Sequence, residues 1–287
     1  MTTTHPTPEP VHTDRPAFTV YPLRFSDDAP AVIAFLRTLG MAPVVTTEGE
    51  GFAELIAGGG GRVMVHATSN AETAAPAGET QLCLSVPATD AAAEQLREQG
   101  LQVRVWDETY GRQGSVRGPH GEDISLNEHQ RDLYGYVGHD GARADPRLSV
   151  TAVRVSAEGP DRDGDREFFA ALGFRPVGEG DQWWQALSSP GAGTIGLHAP
   201  GGADDRASRP SGTEFGDVAL VRLGFETTED LDLLAVRLTE AGYETRVVQG
   251  NVRAVHVTDP DGQHLEIHPR ADGEWTSVAE EAASEDH

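Results

Sequence analysis

Apolar and polar residues alternate in two regimes along the chain. Runs of period two, such as Leu23-Arg24-Phe25, Leu82-Cys83-Leu84-Ser85-Val86, Val153-Arg154-Val155 and Leu223-Gly224-Phe225, predict short strands. Each is followed by a helical stretch that stops at a glycine: Gly40, Gly100, Gly173 and Gly242. Glycine suits that position because the residue after a helix often turns left-handed. Val32, Phe35, Leu36 and Leu39 keep the spacing of one buried helix face, and Leu234, Leu238 and Ala241 repeat it later.

A hairpin with a glycine-rich turn then closes each unit. The turns are Gly58-Gly59-Gly60-Gly61, Gly118-Pro119-His120-Gly121, Pro190-Gly191-Ala192-Gly193 and Asp259-Pro260-Asp261-Gly262. The final strands align as Val63-Met64-Val65-His66, Ile124-Ser125-Leu126-Asn127, Ile195-Gly196-Leu197-His198 and Leu265-Glu266-Ile267-His268. The pattern predicts an α+β chain of four βαβββ modules, paired edge to edge into two cupped eight-stranded domains. Residues 17–128 form the first domain and residues 148–269 the second. Residues 1–16 read as a disordered leader and 270–287 as an acidic tail. The linker, 129–147, holds Gly135, Gly138, Gly141 and Pro146, and its Tyr134 and Tyr136 are free to dock on a domain.

Composition narrows the function. The chain has 287 residues, with 22 basic against 46 acidic side chains and a formal charge of −24. Such a surface repels phosphate backbones and anionic lipid, so neither nucleic acid nor membrane is an expected partner. Every basic residue is arginine, which removes Schiff-base lysines and a P-loop lysine. Cys83 is the sole cysteine, so no intrachain disulfide or thiolate metal cluster can form. With no apolar leader and no spanning segment, the expected compartment is the cytoplasm, and the expected state a monomer or homodimer.

Asp259-Pro260-Asp261-Gly262 followed by His264-Leu265-Glu266-Ile267 resembles the closing hairpin of glyoxalases, fosfomycin- and bleomycin-resistance proteins, and extradiol dioxygenases, the vicinal oxygen chelate superfamily. The resemblance runs from Phe18 to His268. It implies a divalent metal in the cup, chelated by substrate oxygens. Its ligands would come from the opening strands of both modules of a pair and from the last strand of the second, with an optional one from the last strand of the first. Transferred here, these positions are Val20, Gln81 and Ser125, with Met64 optional, and Val150, Arg222 and Glu266, with Gly196 optional. Only Gln81 and Glu266 are usual ligand types, since valine and methionine do not suit a hard cation and arginine keeps its proton. The resemblance therefore implies a small-molecule-binding protein, of the sequestering bleomycin-resistance kind, with a degenerate metal centre. The alternative is a glyoxalase-like lyase or isomerase, or a dioxygenase. It would hold zinc, manganese, iron or nickel in the second domain through a non-standard site of Glu266, His268, His198 or His66. A third reading is a scaffold with both cups closed by side chains.

Other residues bear on a ligand. Strand alternation predicts that Arg24, Arg154 and Arg222 face the cups, either anchoring oxygen anions or acting as rim charges. Arg222 and Glu266 should share one cup, as an anion anchor or as a buried ion pair in place of the metal. Gln81, Cys83 and Ser85 face one way, and Cys83 reads either as a nucleophile or as a small buried hydrophobe. Glu54 and His66 are expected as cross-strand neighbours, acid/base or merely polar. Of the consecutive Trp183 and Trp184, one should line the cup as an aromatic wall and the other pack in the core.

Overall fold

The computed structural model describes residues 17–71, 74–108, 111–129, 133, 135–157, 159–200, 212–213, 216–250 and 252–270. The leader expected at 1–16 lies outside them, as does the tail expected at 270–287 apart from Arg270. The N-terminal half holds β1 (Thr19–Val20), β2 (Leu23–Ser26), α1 (Ala29–Leu39), β3 (Ala42–Thr47), β4 (Phe52–Ile56), β5 (Arg62–Ala67), β6 (Thr80–Gln81) and β7 (Cys83–Val86). It continues with α2 (Thr89–Glu98), β8 (Val103–Glu108), β9 (Gly111–Arg117), β10 (Asp123–Glu128) and β11 (Tyr136–Gly138). The C-terminal half holds β12 (Leu148–Val155), α3 (Pro160–Ala171), β13 (Arg175–Val177), β14 (Trp184–Ser188), β15 (Thr194–His198) and the short pair β16 (Gly212–Thr213) and β17 (Gly216–Asp217). Then come β18 (Arg222–Thr227), α4 (Leu231–Glu240), β19 (Thr245–Gln249), β20 (Arg253–Thr258) and β21 (His264–Pro269). No described helix is long and apolar enough to cross a membrane.

The helices start and stop for local reasons. The Asp28 carboxylate accepts the Ala31 N–H at 3.1 Å, Pro30 sits in the first turn, and Gly40 ends α1 at φ +115°. Val32, Phe35, Leu36 and Leu39 are buried as their spacing predicts. In α4, Leu234 and Leu238 are buried, but Ala241 is exposed because it has become the C-terminal cap.

In the C-terminal half one eight-stranded sheet runs β13-β14-β15-β12-β18-β21-β20-β19. The N-terminal half departs from the expected single sheet. It divides into β1-β7-β10-β9-β8 and β11-β3-β4-β5-β2-β6. The opening strand breaks at Tyr21-Pro22, where proline has no N–H to give the ladder. The partner strand breaks at Leu82, whose N–H donates to the Ala219 carbonyl of the other half at 2.7 Å. The linker docks as well: β11 pairs with β3, and the Tyr136 ring meets Phe52 edge-on at 5.6 Å. Tyr134 lies outside the described residues.

The two halves share a single hydrophobic core and meet with approximate twofold symmetry. Val20 N–H donates to the Ala192 carbonyl at 2.8 Å, and its counterpart Val150 N–H donates to the Gly60 carbonyl at 2.9 Å. The turns bearing Gly60 and Gly193 touch here. A side chain on Gly60, at φ +125°, would stand 2.9 Å from the backbone of Gly191 and Gly193, so only glycine allows the approach.

Candidate functional site

The opening strands decide which residues face each cup, and here the structure corrects the sequence reading by one position. Val20 and Val150 point into the core at the junction of the halves. The cup-facing column in the C-terminal half is Ser149, Thr151 and Val153. In the N-terminal half the counterpart of Thr151 is Tyr21, which lies buried with Met64 and Cys83.

Arg24 and Arg154 are corrected by the same shift. Each crosses to the other half rather than serving its own cup. Arg24 is bound by Asp259 and Asp261, which flank the last hairpin turn, and by Thr80 at 3.2 Å. Arg154 meets Glu122 at 2.5 Å and the fully buried Asp165 of α3 at 2.9 Å. Both guanidiniums are almost wholly buried, so these contacts clamp the halves together and neither is a rim charge.

The N-terminal cup is filled. Tyr21, Met64 and Cys83 form a buried cluster, with Leu23 and Phe52 packed on it. His66 is held between aromatic rings, with centroids 6.1 Å from Phe25 and 5.8 Å from Phe52, and its Nδ1 lies 2.9 Å from the Ala67 carbonyl. Glu54 stands opposite Met64 rather than His66, because the hairpin pairs Ile56 with Arg62 and Phe52 with His66. Its ion partner is Arg62 at 3.8 Å, and burial still raises its pKa. Burial also pushes the Cys83 thiol up to about 12, against the hydrogen bonds of Ser125 and Asn127, so it is no nucleophile at neutral pH. Gln81 is bound to Glu79 at 2.7 Å.

The C-terminal cup is open. A cavity of about 1930 Å³ occupies it and reaches the Pro76–Thr80 segment of the other half. The difference follows from matched positions along the strands. Where the first cup has Tyr21, Glu54, Met64 and Cys83, the second has Thr151, Ala186, Gly196 and Gly224. Gly196 gives room to an aromatic ring: any Cβ there would lie 2.0 Å from the Trp184 indole. Trp184 thus lies on the cup wall, edge-on to His198 with centroids 6.1 Å apart. Neither tryptophan packs in the core, as one of the two was expected to: Trp183 lines the mouth and is 52% exposed.

Polar groups gather on this open floor. Glu226 accepts a hydrogen bond from the Thr194 hydroxyl at 2.8 Å, and burial raises its pKa beyond what Thr194, His268 and Arg270 offset. Glu266 Oε2 lies 2.9 Å from His268 Nε2, and Oε1 lies 3.8 Å from His256 Nε2. The His268 hydrogen bond keeps Glu266 below its ordinary pKa, against the opposing effect of burial. Arg222 and Glu266 do line the same cavity, but the described ion partners of Glu266 are His268 and His256, and the expected Arg222–Glu266 pair does not form. His198, His264 and His268 also line the cavity, with His198 Nδ1 2.6 Å from the Ala199 carbonyl. The Thr151 hydroxyl is buried and has no hydrogen-bond partner.

Neither family models nor curated proteins match this sequence. Solved structures do. A variant of homoprotocatechuate 2,3-dioxygenase from Brevibacterium fuscum, in complex with HPCA, is 17% identical with a TM-score of 0.54, over 92% of this chain and 74% of that one. The 2,3-dioxygenase LapB from Pseudomonas sp. KL28 is 14% identical with a TM-score of 0.54, over 90% of this chain and 92% of that one. The fold is that of the extradiol ring-cleaving dioxygenases. These dioxygenases belong to the vicinal oxygen chelate superfamily, so the resemblance read from the last hairpin holds at the level of fold.

The metal that the superfamily implies does not fit the residues present. With the register corrected, the C-terminal positions are Thr151, Arg222 and Glu266, of which one is a carboxylate and one a permanent cation. The N-terminal set is Tyr21, Gln81 and Ser125, inside a filled cup. Among the described residues no three His, Cys, Asp or Glu side chains converge as a metal-binding group. The sequence reading singled out none of Glu226, Thr151, His256 and Thr194, because strand alternation without the register does not assign a residue to the cup. The usable signal was the contrast between matched positions of the two halves.

Proposed function

We propose that the protein binds a planar aromatic small molecule in its C-terminal cup, without a superfamily metal centre. The chain is organised for this as four βαβββ modules in two domains, 17–128 and 148–269, acting in the cytoplasm as a monomer or homodimer. The observation that carries the reading is the column Thr151, Ala186 and Gly224, whose small side chains leave the cavity open, with the Trp184 ring laid over Gly196 on its wall. Binding sites of this kind combine an apolar wall with a few placed polar groups. Trp184 and Trp183 supply the wall, while Arg222, Glu226 and Thr151 supply the polar contacts. Gln81 and Arg154 are no part of it, being committed elsewhere, while Arg24 reaches its wall with the guanidinium already held by Asp259 and Asp261. A dioxygenase or glyoxalase-like lyase would need three converging ligands, and Glu266 alone is a poor start. Titration calorimetry with a panel of planar aromatic acids and ketones on chelator-treated protein tests the reading. Binding should survive chelation and weaken about tenfold or more in Trp184→Ala. Binding that requires an added divalent ion would contradict it.

A further inference from the structure

We propose that the C-terminal cup also catalyses a metal-free proton transfer on an aryl-bearing carbonyl compound, with His268 as base, Glu226 as acid and Thr151 holding the carbonyl oxygen. This rests on the binding reading above and adds an activity to it.

The arrangement is a row of acids and imidazoles on β15, β18, β21 and β20, with β12 lying between the first two. Thr194 on β15 bonds Glu226 on β18 at 2.8 Å; His268 and Glu266 on β21 lie 2.9 Å apart; His256 on β20 follows at 3.8 Å. Glu226 and His268 are Cα partners in the β18–β21 ladder, so the acid and the base stand side by side. Glu266 fixes His268 through Nε2, which leaves Nδ1 to take a proton, the way a carboxylate orients a catalytic imidazole in other enzymes. Gly224, the partner of Thr151 in the β12–β18 ladder, has no side chain and lines the same cavity. Thr151 is 3% exposed and its hydroxyl has no partner within the protein, which marks it as a donor for something bound. Burial keeps the Glu226 carboxyl inclined to hold its proton, as an acid requires. Arg222 and Arg270 line the same cavity and favour a carboxylate substituent on the substrate.

The step balances without a co-reactant. His268 Nδ1 removes a proton from the carbon next to the carbonyl, and that C–H pair becomes the C=C bond. The carbonyl π pair moves to oxygen, held by the Thr151 O–H, and oxygen takes the Glu226 proton. Return of both protons restores the ketone, so nothing is oxidised or reduced. Glu266 is a positioning residue in this scheme.

Phenylpyruvate is a suitable probe, being aromatic, carboxylated and enolisable. In D2O with chelator, proton NMR should show its benzylic C–H exchanging faster than in buffer alone. His268→Asn should slow the catalysed exchange by roughly 100-fold or more, Glu226→Gln and Thr151→Val by about tenfold. Glu266→Gln should lower kcat by about tenfold and leave KM unchanged, a split that a merely structural role would not give. Calorimetry on the same samples reports binding separately. Exchange at the buffer rate despite binding, or exchange that needs an added divalent ion, overturns the proton-transfer proposal and leaves occupancy of the cup to its own test. Absence of both binding and exchange removes both readings.

Discussion

The two cups are built on one pattern and have opposite interiors. In the N-terminal cup Tyr21, Met64 and Cys83 meet in a buried cluster, and the docked linker strand places Tyr136 against Phe52. In the C-terminal cup the matched positions are Thr151, Gly196 and Gly224, and about 1930 Å³ stays open. Side-chain size at four matched positions therefore decides between a core and a binding site, while the backbone pattern stays nearly the same. The closed cup has a use of its own, since its rim supplies Pro76–Thr80 to the wall of the open one. The Arg24 clamp, which also donates to the Thr80 hydroxyl, holds that wall in place.

Emptying the closed cup should cost most. Tyr21→Ala removes a buried ring and should destabilise the protein by roughly 3–5 kcal/mol in urea unfolding, while Thr151→Ala at the matched position should cost less than about 1 kcal/mol. Equal costs would mean that the cups are not distinguished by packing. Filling the open cup comes next. Gly196→Met copies the N-terminal residue onto the Trp184 ring and should cost about 1–3 kcal/mol from overpacking. It should also abolish aromatic ligand binding, and retained binding would place the ligand elsewhere.

The smallest effect is electrostatic and separates Glu226 from its matched residue Ser85. Burial raises the folded pKa of Glu226 above its unfolded value. Between those values the folded protein keeps a proton that the unfolded chain has released. Stability is therefore lost as pH rises through that window and stays lost above it. Glu226→Gln should gain stability above that window and nothing below it. A parallel gain at all pH values would mean that the carboxyl does not titrate there.

Much of the fold was legible in the sequence. The glycines after the helices, the glycine-rich turns and the repeated strand endings all have direct physical causes, and Gly40, Gly100, Gly173 and Gly242 all take positive φ. The facing of the opening strands was not legible. In Val150-Thr151-Ala152-Val153-Arg154-Val155 both columns are largely apolar, so alternation carries no sign of which side is the cup. That ambiguity moved Val20 and Val150 into the candidate site and sent Arg24 and Arg154 the wrong way. The break at Tyr21-Pro22 was visible as a proline, although its effect depended on Leu82 finding a partner in the other half. Glu266 and Trp184 were found because glutamate and tryptophan stand out singly. Thr151 and Gly224 matter through the space they leave, which shows only when the two halves are compared position by position.

The central claim is that the open C-terminal cup holds the ligand and the closed N-terminal cup does not. A crystal grown with manganese and soaked with phenylpyruvate tests it most directly, using anomalous scattering to locate any metal. The account predicts an aromatic ring against Trp184 with its carbonyl at Thr151, no anomalous peak at Glu266, and an unchanged Tyr21-Met64-Cys83 cluster. Density within that cluster, or manganese bridging Glu266 and the ligand, would contradict it.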